Sequence, residues 1–182
     1  PAPSGSNPGI LGRTYQDIVQ DMIDSYAFGQ YNANSAARGG WRYAWNQFPD
    51  NSACQWAAIG LIPAERNWGL VVPSWVKSEN EVWLNYSQHS SGWSGYSGIN
   101  SAWGLYATTP SGMVQLAMDG IGRGDSRWDD AETWIRDRFC NTGGAGSAIR
   151  DYYYGLFSFT KSMFLHDADG NGIPDPDPSV GI

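Results

Sequence analysis

Residues 39–61 read GGWRYAWNQFPDNSACQWAAIGL, and residues 92–121 read GWSGYSGINSAWGLYATTPSGMVQLAMDGI. Each passes from Gly-Trp through clustered aromatics to a capped run of small apolar residues. Gln55, Ala57 and Gly60 recur sixty positions later as Gln115, Ala117 and Gly120, and Trp68 recurs as Trp128. Trp75-Val76 is answered by Trp134-Ile135, one residue short of that spacing. An internal period of this size argues for stacked helical pairs, because one such unit cannot bury its apolar face alone.

The helical signals fit that reading. Thr14 is an N-cap with Asp17 three residues on, and Ile18, Val19, Met22, Ile23 and Tyr26 mark an apolar face that ends near Gly29. Residues 30–49 read as a polar, Gly- and aromatic-rich loop. Asp50, Asn51 or Ser52 caps a second helix with Trp56, Ala57, Ile59 and Leu61, predicted to stop at Pro63. Pro73 is placed as the first residue of a third helix, with Trp75, Val76, Val82, Trp83 and Tyr86 as its apolar positions. Thr109-Pro110-Ser111 supplies the cap and first turn of a fourth, Asp129 and Asp130 lead a fifth, and a sixth covers roughly 148–164.

The chain is therefore predicted to be all-α, with helical hairpins introduced by Gly/Trp-rich loops. The expected domain runs over residues 14–165, after a Pro/Gly/Ser linker at 1–13 and before an acidic tail at 166–182. The chain begins at Pro1, so a processed chain or an excised fragment is expected.

With 10 Trp, 10 Tyr and 23 Gly among 182 residues, there are more rings than a small core hides. Trp41, Tyr43, Trp45, Trp93, Tyr96 and Trp103 are the candidates for an aromatic platform at one end of the helices. Trp41 and Trp93, which occupy matching places in the two repeats, are better explained as plugs of the core, and Trp45 and Trp103 as exposed rings. Net charge is −7 and Lys plus Arg total 11 without a basic run, so nucleic acid is excluded as a partner. No apolar run reaches spanning length. Cys54 and Cys140 fit either one disulfide or two buried thiols.

GGWRY, a short polar loop and then DNSACQWAAIGL resemble the repeat of the terpenoid cyclase and protein prenyltransferase superfamily. The resemblance covers roughly residues 14–164 and implies an α/α toroid, of which this chain holds about half the helices. A partner protein or self-assembly would then close the half-ring. The activities of the superfamily do not carry over. Asp125-Ser-Arg-Trp-Asp129-Asp130 lacks the Asp-x-Asp-Asp spacing of the cyclase acid and reads as a helix cap. Asp50 and Cys54 stand too far apart for the zinc triad, and neither His89 nor His166 starts an inner helix. The thioester motif is absent.

The tail His166-Asp167-Ala-Asp169-Gly-Asn171-Gly-Ile173-Pro-Asp175-Pro-Asp177 sets oxygen ligands at alternate positions of a Gly-bent loop. Asp167, Asp169, Asn171 and Asp175 with the Ile173 carbonyl suit calcium, a hard cation. DADGNGIPD resembles thrombospondin type 3 and dockerin-like calcium loops; Pro178 stands where their last acid falls, so Asp177 or another residue would complete the shell. The alternative is a solvated acidic linker. Calcium as cofactor implies an extracellular or cell-surface location, and one Asn-Tyr-Ser sequon at Asn85 is consistent with it.

Two functions follow. The first is a non-catalytic, calcium-stabilised structural or binding module of a larger protein or assembly, with a glycan or protein on its aromatic rings. The second is an enzyme of the terpenoid cyclase-like or (α/α)-barrel carbohydrate-active type, working in a central cavity through carboxylates such as Glu79, Glu81 and those of 125–132.

Overall fold

The computed structural model describes residues 8–140 and 148–166. Six α-helices make up the fold among these residues: α1 (Tyr15–Gly29), α2 (Asn51–Arg66), α3 (Ser74–Ser87), α4 (Leu105–Met118), α5 (Ser126–Arg138) and α6 (Tyr153–Leu165). A single 3₁₀ turn (Ile149–Asp151) precedes α6. The described residues are all-α as predicted, with one isolated bridge between Gln88 and Ser94.

The local signals explain most boundaries. Thr14 and Asp17 form a reciprocal capping box at α1, and Asp50 accepts from the Ala53 amide at the start of α2. Asp125, not Asp129, caps α5. Three expectations need correction. Pro63 lies inside α2, which runs on to Arg66, because burial of Leu61, Ile62 and Ala64 outweighs one lost helical hydrogen bond. Pro110 lies inside α4, which starts at Leu105 after Gly104 in the left-handed conformation. The predicted sixth helix is interrupted at Tyr152, which is extended.

α4 is the centre of the molecule. It packs against α2, α3, α5 and α6, and every residue from Ala107 to Met118 is buried. The N-terminal ends of α2, α4 and α6 lie together: Asn51 N–H donates to Tyr96 O in the loop entering α4, and Tyr154 donates to Ser52 O at 3.3 Å. At the opposite end the Arg66 guanidinium donates to Leu165 O of α6 at 2.7 Å and to Ala117 O of α4 at 3.2 Å. A cation at two helix C-termini opposes their negative ends. Proline at 110 removes the bond that Tyr106 O would otherwise accept, and Gly155 of α6 approaches that carbonyl so closely that a Cβ would come within 2.5 Å.

The two Gly-Trp loops do repeat, in a different register from the one the sequence suggests. A Cβ on Gly39 would sit 1.7 Å from Glu79 O of α3, and one on Gly92 would sit 2.1 Å from Asp130 O of α5. Both glycines have positive φ, +96° and +89°. This match places Trp134 opposite Trp83, both buried, and not opposite Trp75, which is half exposed. Trp68 is likewise exposed where Trp128 is buried. Side chains cannot follow at such glycines, so we predict that Gly39→Ala and Gly92→Ala each lose at least about 1–3 kcal/mol from backbone conformation alone. Gly60→Ala, in open space on α2, gains about 0.5–1 kcal/mol in the same urea titration.

One buried acid belongs to the frame. Asn80 of α3 donates through Nδ2 to Asp119 Oδ2 at 2.8 Å, at the C-terminal end of α4. Asp119 as a whole is half-buried, but its Oδ1 and the Asn80 Oδ1 are closed to solvent without partners. Burial pushes the carboxyl well above the usual carboxylate range and outweighs the Asn80 hydrogen bond; Glu81 raises it further, while Lys77 and Arg127 oppose. The folded chain then holds a proton that the unfolded chain releases near pH 4, so this stability is present in full below that pH and is lost as pH rises through the folded value. Stability from urea titrations should fall as pH rises above about 4, by at most about 1.4 kcal/mol per pH unit from this group. Asp119→Asn, which removes the titrating group, should abolish that component.

Candidate functional site

The 30–49 loop is held at several points. Tyr31 N–H donates to Gly40 O, Gly39 N–H to Tyr31 O, and Asn46 N–H to Gly29 O. Trp41 anchors its middle: the ring is buried and its Nε1 donates to Tyr26 O at 2.8 Å. Trp45 crosses Gly29, where a Cβ would meet its ring at 2.8 Å, and stands edge-on to Phe28 at 5.3 Å. A hollow opens on each side of this wall.

The first hollow, about 670 Å³, lies between α1, the loop and α2. Met22, Tyr26, Tyr43, Trp45 and Trp56 line it, with Arg13 and Asp21 paired at its rim. Tyr43 is 79% exposed, Trp45 67% and Trp56 48%, with Trp56 stacked on Phe157 of α6 at 5.5 Å. α1 leaves this space open because only Ile23, Ala27 and Gly29 of its residues are buried. Met22 and Tyr26, assigned from sequence to the same face as Ile23, therefore look outward, and the wide apolar stripe of α1 was the signal for that.

The second hollow, about 750 Å³, lies between the end of α1, the other flank of the loop and the start of α3. Its lining includes Asp24, Phe28, Gln30, Asn46, Trp75 and Glu79. Gln30 is buried, and its Nε2 donates to Gly39 O at 2.7 Å and to Val76 O at 2.8 Å, which leaves Oε1 without a partner. Turning the amide over would set its oxygen against two carbonyls, so the unpaired acceptor is imposed by the fold, at about 1–3 kcal/mol.

The six predicted ring positions do not form one platform. Tyr43 and Trp45 face the first hollow, while Trp41 is core. Trp93 is half-buried and stacks flat on His89 at 4.5 Å. Tyr96 donates to Asp50 Oδ2 at 3.3 Å, and Trp103, 70% exposed, stands edge-on to it at 5.1 Å. Arg42 joins the two loops, paired with buried Asp50 at 3.0 Å and lying 5.9 Å from the Tyr96 ring centre. Burial raises the Tyr96 phenol, and likewise that of Tyr154, which Gln55 and Ser111 hydrogen-bond.

Of the acids named from sequence, Glu79, Glu81, Asp125 and Glu132 are engaged in ion pairs. Glu79 pairs with Arg38 at 2.7 Å, and Glu81 with Arg127 at 3.2 Å. Arg127 also holds the Asp125 carboxyl below its ordinary range. Glu132, nearly buried, takes Arg136 at 2.6 Å. No group of three or more metal-ligating side chains gathers among the described residues. The calcium ligands read from sequence, Asp167, Asp169, Asn171, Ile173, Asp175 and Asp177, lie outside them. No helix among the described residues is long and apolar enough to cross a membrane.

No protein-family model, curated protein or solved structure matches the chain.

Cys54 and Cys140 are free thiols in the structure, the first buried and the second exposed. Cys54 Sγ accepts from Trp41 N–H at 3.0 Å under Gly40 and Trp83, while Cys140 is exposed beyond α5. Burial pushes the Cys54 thiol up, which removes its nucleophilic form. A thiol reagent should therefore label Cys140 in the native chain and Cys54 only after denaturation. No labelling of native protein, with both thiols appearing after reduction, would contradict this arrangement.

Proposed function

We propose that the chain is a non-catalytic binding module of the extracellular space or cell surface, working within a larger protein or assembly. The observation that carries this reading is the group of large rings left in solvent around the first hollow, Tyr43, Trp45 and Trp56. Rings whose task was to seal the core would be closed off as Trp41 is. Exposed aromatic clusters of this kind mark contact surfaces. The pairing of Glu79, Glu81, Asp125 and Glu132 with arginines favours binding over acid–base catalysis.

The finer architecture belongs to the same proposal. α2, α4 and α6 are the inner helices and α1, α3 and α5 the outer helices of part of an α/α toroid, related to the terpenoid cyclase and prenyltransferase repeat. A protein partner or a second copy completes the ring. Calcium in the DADGNGIPD loop stiffens the exit from the domain, and a glycan is the further ligand class.

Two measurements test this. Tyr43→Ala and Trp45→Ala should change stability by no more than about 0.5 kcal/mol, as surface positions do. Trp41→Ala should cost about 3–5 kcal/mol. A loss of core size at Trp45 would make it a structural plug and remove the basis of the reading. Calorimetric titration of the full chain with calcium should show binding that raises the thermal midpoint and disappears in Asp167→Ala/Asp169→Ala. No heat and no shift would overturn the calcium and extracellular parts.

A further inference from the structure

We propose that the exposed face of α6, with Trp56 of α2 beside it, is the surface on which a second copy of this chain docks, as an antiparallel two-fold pair of helices. This deepens the proposed assembly and rests on that reading only in supposing that the domain has a protein partner. It depends neither on calcium nor on a ligand in either hollow.

α6 reads YYGLFSFTKSMFL, with Lys161 as its one charge. A helix apolar on every side belongs where every side is covered. Only Gly155, Ser158, Phe159 and Ser162 of its residues are buried, on the side that packs against the rest of the fold. Tyr153, Phe157, Thr160 and Phe164 are exposed on the other. Their spacing, i, i+4, i+7 and i+11, holds them within about 60° of one another around the helix axis. It is the spacing of a seam that receives another helix. Trp56, stacked on Phe157 at 5.5 Å, extends the face onto α2.

Size and charge choose the occupant. Tyr153 is 89% exposed, Phe164 70%, Trp56 48% and Phe157 36%. At about 200 Å² per ring, these leave on the order of 500 Å² open on each copy. Two such faces reach the roughly 1,000 Å² that a specific interface buries. The net charge is −7, so two copies repel wherever their carboxylates meet. α6 holds no acid, α2 holds none before Glu65, and Asp151 ahead of α6 is paired with Arg150 at 3.2 Å. Lys161 sits 5.7 Å from the centre of the Phe157 ring of its own helix. An antiparallel pair centred on the stripe sets Tyr153 beside Phe164 of the second copy and Phe157 beside its Thr160, a ring against a small side chain. It sets Lys161 opposite Leu156 instead of another lysine, and it aligns the two helix dipoles favourably.

The test is sedimentation equilibrium of the full chain in EDTA. A dimer with a Kd on the order of micromolar is expected. Tyr153→Glu and Phe164→Lys suit the dipole at their ends of α6, so each should keep the urea midpoint while weakening the dimer at least about tenfold. Tyr43→Ala should leave it unchanged. Register is read by mixing Tyr153→Cys and Phe164→Cys chains, both carrying Cys140→Ser, under mild oxidation. Disulfides between the two different chains should predominate; a predominance of like-with-like disulfides would overturn the antiparallel pair. A dimer indifferent to both α6 charge variants would place the contact elsewhere and refute this face. A monomer that binds the apolar dye bis-ANS, and loses that binding in Tyr153→Glu, would refute the second copy and leave the face to a different protein, with the assembly reading standing. A monomer that binds no dye there would refute both.

Discussion

The structure depends on closing twelve consecutive residues of one helix, Ala107 to Met118, away from water. That stretch is not purely apolar, so each polar side chain in it must find a partner at a fixed place. Thr108 donates to Ser94 O at 2.6 Å, and Thr109 Oγ1 accepts from Ser94 N–H at 3.1 Å. Ser111 donates back to Ala107 O, and Gln115 donates to Asn51 Oδ1 at 2.9 Å. Asn51 in turn receives the Trp83 indole at 2.8 Å and donates to Gly95 O at 2.7 Å. One set of buried hydrogen bonds thus fixes the second Gly-Trp loop, the start of α2 and the middle of α3 against α4.

The glycines finish the placement. Gly39 and Gly92 let the two loops touch the backbones of α3 and α5, and no longer side chain would allow that approach. The first loop, once anchored through Trp41, has its flanks committed to carrying Tyr43, Trp45 and Asn46 over open space. α1 adds few buried residues and is tied down by Gln16 and Gln20 to Trp68 O and Val71 O, by the Trp41 indole to Tyr26 O and by Asn46 N–H to Gly29 O. A rigid hub with a lightly held flank is a workable plan for a ligand site, since binding elements come from the low-stability end of a fold.

Much of the fold was legible because its signals are local. Thr14 with Asp17, Asp50 and Pro73 mark helix starts by mechanisms that need no tertiary information. The proline positions misled for the opposite reason: whether a helix continues through Pro63 or Pro110 is decided by what its flanks bury. The repeat was real but misaligned, since matching letters joined Gln55 to Gln115 while the pressed glycines join Glu79 to Asp130. Gln55 lies in the second turn of its helix, and Gln115 lies well past the middle of its own. For the site, Trp41 as anchor and Trp45 and Trp103 as exposed rings could be read from their places in the loops. Trp56, Gln30 and Asn46 could not. Trp56 looked like a core position of an apolar run, and the unpaired Gln30 oxygen exists only once Gly39 and Val76 are brought to its amide.

Hydrogen exchange of backbone amides, followed by mass spectrometry in native buffer, tests the hub-and-flank account most directly. The α4 amides from Ala107 to Met118 should exchange only through global unfolding, at the free energy given by urea denaturation. Peptides of α1 and the 30–49 loop should exchange through smaller openings that leave α4 protected. Exchange of α4 as fast as that of α1 would contradict the account, because the helix against which α2, α3, α5 and α6 pack would then not be the last to open.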